Sequence, residues 1–266
     1  EATLATAAYT DGTSSTAHLY AHTTEEGNHT TDLLNDWPMA VFEAEIPVLN
    51  YSGLDDQPYM SPGVGHLFDV NRTSGRILFE NGQLITEPDV DRMRIVISLP
   101  LDASGQVKTD VPLIMYDHGT GGHAYNSVQR LNVHDNCRAL AQIYADAGFG
   151  VIGRDAALYG TRFELIDAGY SGGSLGFYNV VNLPAFRDNE RQTAVDGHVL
   201  LRFIEDQMNT SLPEGSVDPT RIRRFGHSLG SVTSNLGLAM EPDAYESALL
   251  SGTGGVMSHY FLDTGL

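Results

Sequence analysis

Gly226-His227-Ser228-Leu229-Gly230 sets a serine between two glycines where a short strand, Arg221-Ile222-Arg223-Arg224-Phe225, gives way to a helix. That helix is read from Val232, Leu236, Ala239 and Met240, which recur at i, i+4, i+7 and i+8 as an amphipathic face requires. A strand that turns into a helix over so few residues crowds the positions two before and two after the serine. Gly226 and Gly230 remove that bulk. Ser228 is then strained and exposed at the helix start, as in a nucleophile elbow. The backbone N–H of Leu229 has no intrahelical partner and points, with the helix dipole, toward negative charge forming beside the serine oxygen. In a chain with 28 glycines the same string also reads as a plain helix N-cap serine.

A second element favours the elbow. Asp117-His118-Gly119-Thr120-Gly121-Gly122 follows the strand-like run Val111-Pro112-Leu113-Ile114-Met115-Tyr116. A loop this rich in glycine lets backbone amides approach a substrate carbonyl without side-chain interference. Ester hydrolysis by a serine needs a base, an acid that orients it, and two N–H donors for the tetrahedral oxyanion. The candidate nucleophile is Ser228, and the candidate donors are the N–H groups of Leu229 and Thr120, with Gly121 as the fallback for the second.

The 266 residues suffice for one sizeable α/β domain with an N-terminal extension, or for two smaller units. A net charge of −19 argues against nucleic acid and anionic membranes as partners. Cys137 is alone, so no intrachain disulfide forms. No run has the length of a membrane span, so no transmembrane segment is expected. The chain begins with Glu1, which leaves a removed export signal open.

Residues 1–36, rich in Thr, Ala and Ser, read as a flexible tail. Residues 37–91 read as a small β-rich N-terminal region, from short runs such as Ala40-Val41-Phe42 and Ile46-Pro47-Val48-Leu49. Residues 92–266 read as the main α/β unit. In it, strands at Met93–Leu99, Val111–Tyr116, Phe149–Gly153 and Ala248–Gly252 alternate with helices. One helix presents Leu140, Ile143, Tyr144 and Ala147 on a face and stops at Gly148. A long one opens at Pro184, with Val195, Val199 and Phe203 beside Leu200, Ile204 and Met208. Such alternation implies a mostly parallel sheet covered by helices on both faces.

Across roughly residues 93 to 257 the chain resembles the α/β-hydrolase superfamily, in particular the branch of secreted bacterial virulence-factor lipases and surface lysophospholipases. The resemblance rests on His118-Gly119-Thr120-Gly121-Gly122, the string from Arg154 to Arg162, Arg187-Asp188-Asn189-Glu190-Arg191-Gln192, and the elbow. In the second string that branch tends to carry Asp-x-Pro-Leu-His-Gly-x-Arg, and Ala157 and Tyr159 depart from it. The resemblance implies an α/β-hydrolase fold and a serine esterase or lipase acting on acyl or lipid esters, with another acyl hydrolase of the same fold (peptidase, thioesterase or polyester depolymerase) or a noncatalytic secreted binding module as the alternatives. It also implies a secreted or periplasmic bacterial setting and no metal or organic cofactor. The loop after the third strand then supplies the second oxyanion donor, and an acid and a histidine follow the serine in chain order.

Only one histidine follows Ser228, namely His259, and Asp263 lies after it. The expectation is therefore of a hydrolase core lacking its last strands, with the acid and base supplied by a C-terminal remainder of the same polypeptide; His259 is the alternative base. Glu241 and Asp243 fall at the far end of the elbow helix. His227 is expected to pack under the nucleophile, His118 to brace the glycine loop, and His123 to sit in a loop. His66, His134 and His198 show no metal-ligand spacing. Asp188 and Arg187 are expected to make capping or ion-pair contacts. Asp69 to Glu80 imitates a calcium loop with its glycine one place late, and a polar hairpin turn explains it better.

Overall fold

A computed structural model describes residues 39–51, 76–85, 88–128, 138–162, 173–178 and 183–254. The expected tail, the Asp69–Gly75 turn, His66, His134, Cys137, His259 and Asp263 lie outside them.

Six strands form one sheet in the order β1-β4-β6-β5-β7-β8. They are β1 (Met39–Asn50), β4 (Asp89–Pro100), β6 (Gly150–Arg154), β5 (Val111–Asp117), β7 (Val217–His227) and β8 (Ser247–Ser251). A separate hairpin pairs β2 (Phe79–Glu80) with β3 (Gln83–Leu84). β6, β5, β7 and β8 run parallel to one another, while β4 pairs antiparallel with both β1 and β6. The boundary expected near residue 91 falls inside β4, and β1 is the outer strand of the main sheet, paired with β4 from Met39↔Pro100 to Asn50↔Asp89. That pairing joins residues 39–50 of the expected β-rich region to the main sheet.

β5 and β6 are buried at every residue, as central parallel strands with both faces covered must be. On one face Leu113, Met115, Ile152 and Ile222 pack with Leu200, Leu201, Phe203 and Ile204 of α3 (Leu183–Asp206) and with Met208 of the short α4 (Met208–Ser211). On the other, Ile114, Tyr116 and Val151 pack with Ala141 and Ala145 of α1 (Leu140–Asp146). Gly148, with φ +85°, ends the chain's excursion after α1 as its sequence position suggests. Of the face expected of that helix, Leu140 and Tyr144 pack against the cluster of Ile114, Tyr116 and Val151, while Ile143 is exposed.

The helix after the elbow, α5 (Leu229–Met240), lies on the α3 side, and its apolar stripe points the other way from expectation. Leu236, Ala239 and Met240 are exposed, while Gly230, Ser231, Thr233, Ser234 and Gly237 face inward. A Cβ on Gly237 would stand 2.2 Å from Arg224 Nη1. The interior there is built of charge, so small residues face it. A last short helix, α2 (Gly173–Tyr178), docks against α3, where Asn189 Nδ2 donates to the Phe177 carbonyl at 2.8 Å. Among the described residues no helix is long and apolar enough to cross a membrane.

Candidate active site

At the junction of β7 and α5, Ser228 has φ 52° and ψ −117°, backbone values that a non-glycine residue holds at a cost of about 1–3 kcal/mol. The turn is pinned on both sides. Ser228 N donates to Ser251 O at 2.8 Å, and Ser228 O accepts from Ser231 N at 2.9 Å and from Ser231 Oγ at 2.6 Å. The two glycines have separate steric reasons. A Cβ on Gly226 would lie 2.6 Å from Gly230 O, and one on Gly230 would lie 2.1 Å from Asp117 O. Gly226 lets the turn close; Gly230 lets α5 press against the start of the glycine loop.

That loop reaches the serine. A Cβ on Gly119 would stand 3.2 Å from Ser228 Cβ and 2.9 Å from His227 Nδ1. Gly122 N donates to Gly119 O at 3.0 Å and Gly121 has φ +77°, so the backbone curls at Thr120 and Gly121. Leu229 is buried as the first residue of α5, where its N–H has no partner within the helix. The loop that carries Thr120 thus meets the turn that carries Ser228 and Leu229 through Gly119.

His118 is buried and bonded on both sides of its ring. Nδ1 donates to Gly119 O at 2.7 Å, and Nε2 accepts from Ala156 N at 3.2 Å. Burial pushes this imidazole down, which favours the neutral ring that the two bonds require. Its ring also meets Tyr159 edge-on at 5.2 Å. Asp155, fully buried, accepts from Ala124 N at 2.7 Å through Oδ1. Gly160, at φ +60°, wraps so closely that a Cβ would overlap the same carboxylate at 2.1 Å. Residues 154–160 therefore form a brace under the glycine loop. His227 is corrected: it is exposed beside Gly119 and does not pack beneath the serine.

Beside the loop stands an aromatic wall. Phe177, Tyr159, Phe186 and Leu229 form a cluster with Ala156 and Ala157, and Tyr178 packs against it. The Tyr178 hydroxyl bonds Thr120 Oγ1. Arg187 and Arg191 pair with the fully buried Asp188, whose Oδ2 also accepts from Ile77 N at 3.0 Å. The ion-pair reading of that stretch therefore stands, within the second turn of α3 rather than at its cap. Glu241 closes the far end of α5, where it lies 2.8 Å from His198 Nδ1 and accepts from Arg202 Nη2 at 3.0 Å, remote from the serine as expected. Among the described residues no histidine bonds the Ser228 hydroxyl, and no group of His, Cys, Asp and Glu is arranged to hold a metal ion.

Sequence reading missed the charges beneath the elbow. Asp117 accepts from Arg154 Nε at 2.7 Å, Arg224 Nε at 2.9 Å and Ser234 Oγ at 2.6 Å. Burial alone would raise this carboxyl, but the two guanidinium groups hold it well below the usual carboxylate range. The available signal is the period of two along the strands. The inward rows Leu113-Met115-Asp117, Ile152-Arg154 and Ile222-Arg224 each end on a charge where another apolar residue would continue the core.

No family profile and no curated protein matches the chain. Among solved structures it is similar to a protein assigned as an acetyl xylan esterase from Bacteroides fragilis NCTC 9343, at 14% identity and a TM-score of 0.45, covering 59% of this chain and 40% of that one. It is also similar to a glucuronoyl esterase from Solibacter usitatus, at 13% identity and a TM-score of 0.41, covering 82% and 49%. A third likeness is to oligopeptidase B from Trypanosoma brucei, at 16% identity and a TM-score of 0.34, covering 59% and 18%. The chain spans about half or less of the length of each. With this sheet order and the strained strand-to-helix turn at Ser228, the chain has an α/β-hydrolase fold.

Proposed function

We propose that the protein is a serine-dependent carboxylic ester hydrolase that works through an acyl-enzyme on Ser228. The observation that carries the reading is the strained Ser228 backbone lying against the Gly119 backbone, a geometry with no evident use in a helix N-cap. Ser228 Oγ attacks the ester carbonyl carbon, and the carbonyl oxygen gains its negative charge between the N–H groups of Thr120 and Leu229. Each such donor contributes about 3 kcal/mol to the transition state. The base takes the Ser228 hydroxyl proton and returns it to the departing oxygen, so the alcohol leaves, and water then releases the acid. The general base is assigned to a group outside the described residues, with His259 one candidate. Acyl or lipid esters are the proposed substrate class, on the resemblance to the lipase branch and on the aromatic wall of Phe177, Tyr178 and Phe186 beside Thr120.

A fluorophosphonate probe tests this. It should label the full-length wild-type protein and leave Ser228→Ala unlabelled; a probe that labels both, or neither, refutes the reading. A series of esters of increasing acyl length, run beside peptide and thioester substrates, then tests the substrate class.

A further inference from the structure

Asp117 lies where the two halves of the candidate site meet. It is the last residue of β5, three residues before Thr120, and Gly230 of α5 rests on its carbonyl oxygen. Its side chain returns to the same helix: Oδ2 accepts at 2.6 Å from Oγ of Ser234, the sixth residue after the nucleophile. One residue therefore touches α5 through both backbone and side chain while its chain runs on into the other oxyanion support.

The carboxylate is itself held from two strands. Arg154, at the end of β6, gives Nε to Oδ1 and Nη1 to the Thr193 carbonyl of α3 at 2.8 Å. Arg224 of β7 gives Nε to Oδ2 and Nη1 to the Tyr245 hydroxyl at 2.9 Å. Its Nη2 also lies 2.8 Å from Oδ2 as an ion-pair contact. Both arginine side chains are essentially without solvent exposure. The helices make room for them with glycine: a Cβ on Gly197 would lie 3.0 Å from Arg224 Nη2, and one on Gly237 2.2 Å from Arg224 Nη1. Burying two guanidinium groups and a carboxylate is costly compared with apolar packing. Leu or Met at these positions would extend the rows that Met115, Ile152 and Ile222 begin.

We propose that Asp117 is a positioning residue that fixes the separation between the Thr120 and Leu229 donors, with Ser234 as its link to the nucleophile helix. The inference rests on the hydrolase reading above. An apolar core could fill the same volume, but it would not fix a direction; a carboxylate gripped by three donors does. Oxyanion donors lose their effect when they shift by fractions of an ångström, and a misplacement of about 1 Å costs on the order of a hundredfold in rate.

Saturation kinetics of fluorophosphonate labelling separate binding from reaction. In labelling, Ser228 Oγ forms a bond to phosphorus, fluoride leaves, and the hydroxyl proton passes to the base. Ser234→Ala removes the link to α5 and leaves both arginine pairs. It should lower the limiting labelling rate about tenfold, with the half-saturating probe concentration and the final stoichiometry unchanged. Ile204→Val, a core change on α3 away from the site, serves as the control for general loosening and should leave the limiting rate at the wild-type value. Asp117→Asn should exceed the loss in Ser234→Ala, and the double variant should lose no more than Asp117→Asn alone. A wild-type rate in Ser234→Ala, or an equal loss in Ile204→Val, overturns the inference while leaving the hydrolase reading intact. A full-length wild-type protein that takes no label overturns both.

Discussion

Gly237→Ala puts the buried charge cluster to a test in which ordinary helix rules and this structure predict opposite signs. In an exposed helix interior the substitution stabilises by about 1 kcal/mol, because alanine loses less backbone freedom on folding. Here the added Cβ would stand 2.2 Å from Arg224 Nη1 and 2.8 Å from Cζ. Ordinary non-bonded separations are ~3.5 Å, so the guanidinium must retreat by roughly 1 Å. It cannot do so freely, since Nη1 is bonded to the Tyr245 hydroxyl and Nε to Asp117 Oδ2, each at 2.9 Å. Losing two charge-assisted bonds costs about 1.5–3 kcal/mol apiece. Set against the propensity gain, the net is a destabilisation of about 2–5 kcal/mol. Urea unfolding followed by far-ultraviolet circular dichroism measures it, with Asn235→Ala on the exposed face of α5 as the companion that should gain a few tenths of a kcal/mol. A Gly237→Ala chain as stable as the wild type, or more so, would refute the cluster as drawn.

Three further outcomes are expected. Gly230→Ala, whose Cβ would meet the Asp117 carbonyl oxygen at 2.1 Å, must push α5 off the glycine loop, and fluorophosphonate labelling should slow on the order of a hundredfold. Arg162→Met strands Asp196, fully buried and bonded to Arg162 at 2.6 Å, together with Asp91 at 2.7 Å; urea unfolding should show a loss of about 3–5 kcal/mol. Glu190 gives a pH dependence. Burial pushes its carboxyl up to about 7 from an ordinary 4.5, so its contribution is whole below the lower value and is lost as pH rises through the higher one. Glu190→Gln should therefore match the wild type near pH 4.5 and exceed it by on the order of 2–3 kcal/mol at about pH 8.5, and unfolding curves that stay parallel across that range would show the reasoning wrong.

What could be read from sequence was what is local. The Gly226–Gly230 turn announces itself because its sterics involve only neighbours, and Gly148 ends its helix for the same reason. The run of glycines after His118 marks the second loop, although only the folded sheet brings Gly119 against Ser228. The inward face of α5 was misread because hydrophobic periodicity assumes an apolar interior. Beneath this helix the interior is Asp117, Arg154 and Arg224, so Gly230, Ser234 and Gly237 face it and Leu236 and Met240 do not. α3 misleads in the same way. Its buried row of Asp188, Asn189, Gln192, Thr193 and Asp196 looks like a solvent face, yet each of these residues holds another segment in place. The place of β1 in the main sheet was also hidden, since its pairing with β4 joins residues some fifty positions apart.

The most direct test of the account is the structure of the fluorophosphonate adduct. The phosphorus should be bonded to Ser228 Oγ, with its negatively charged oxygen about 2.7–3.1 Å from the amide nitrogens of Thr120 or Gly121 and of Leu229. An adduct on another residue, or one on Ser228 whose oxygen faces away from both amides, would contradict it.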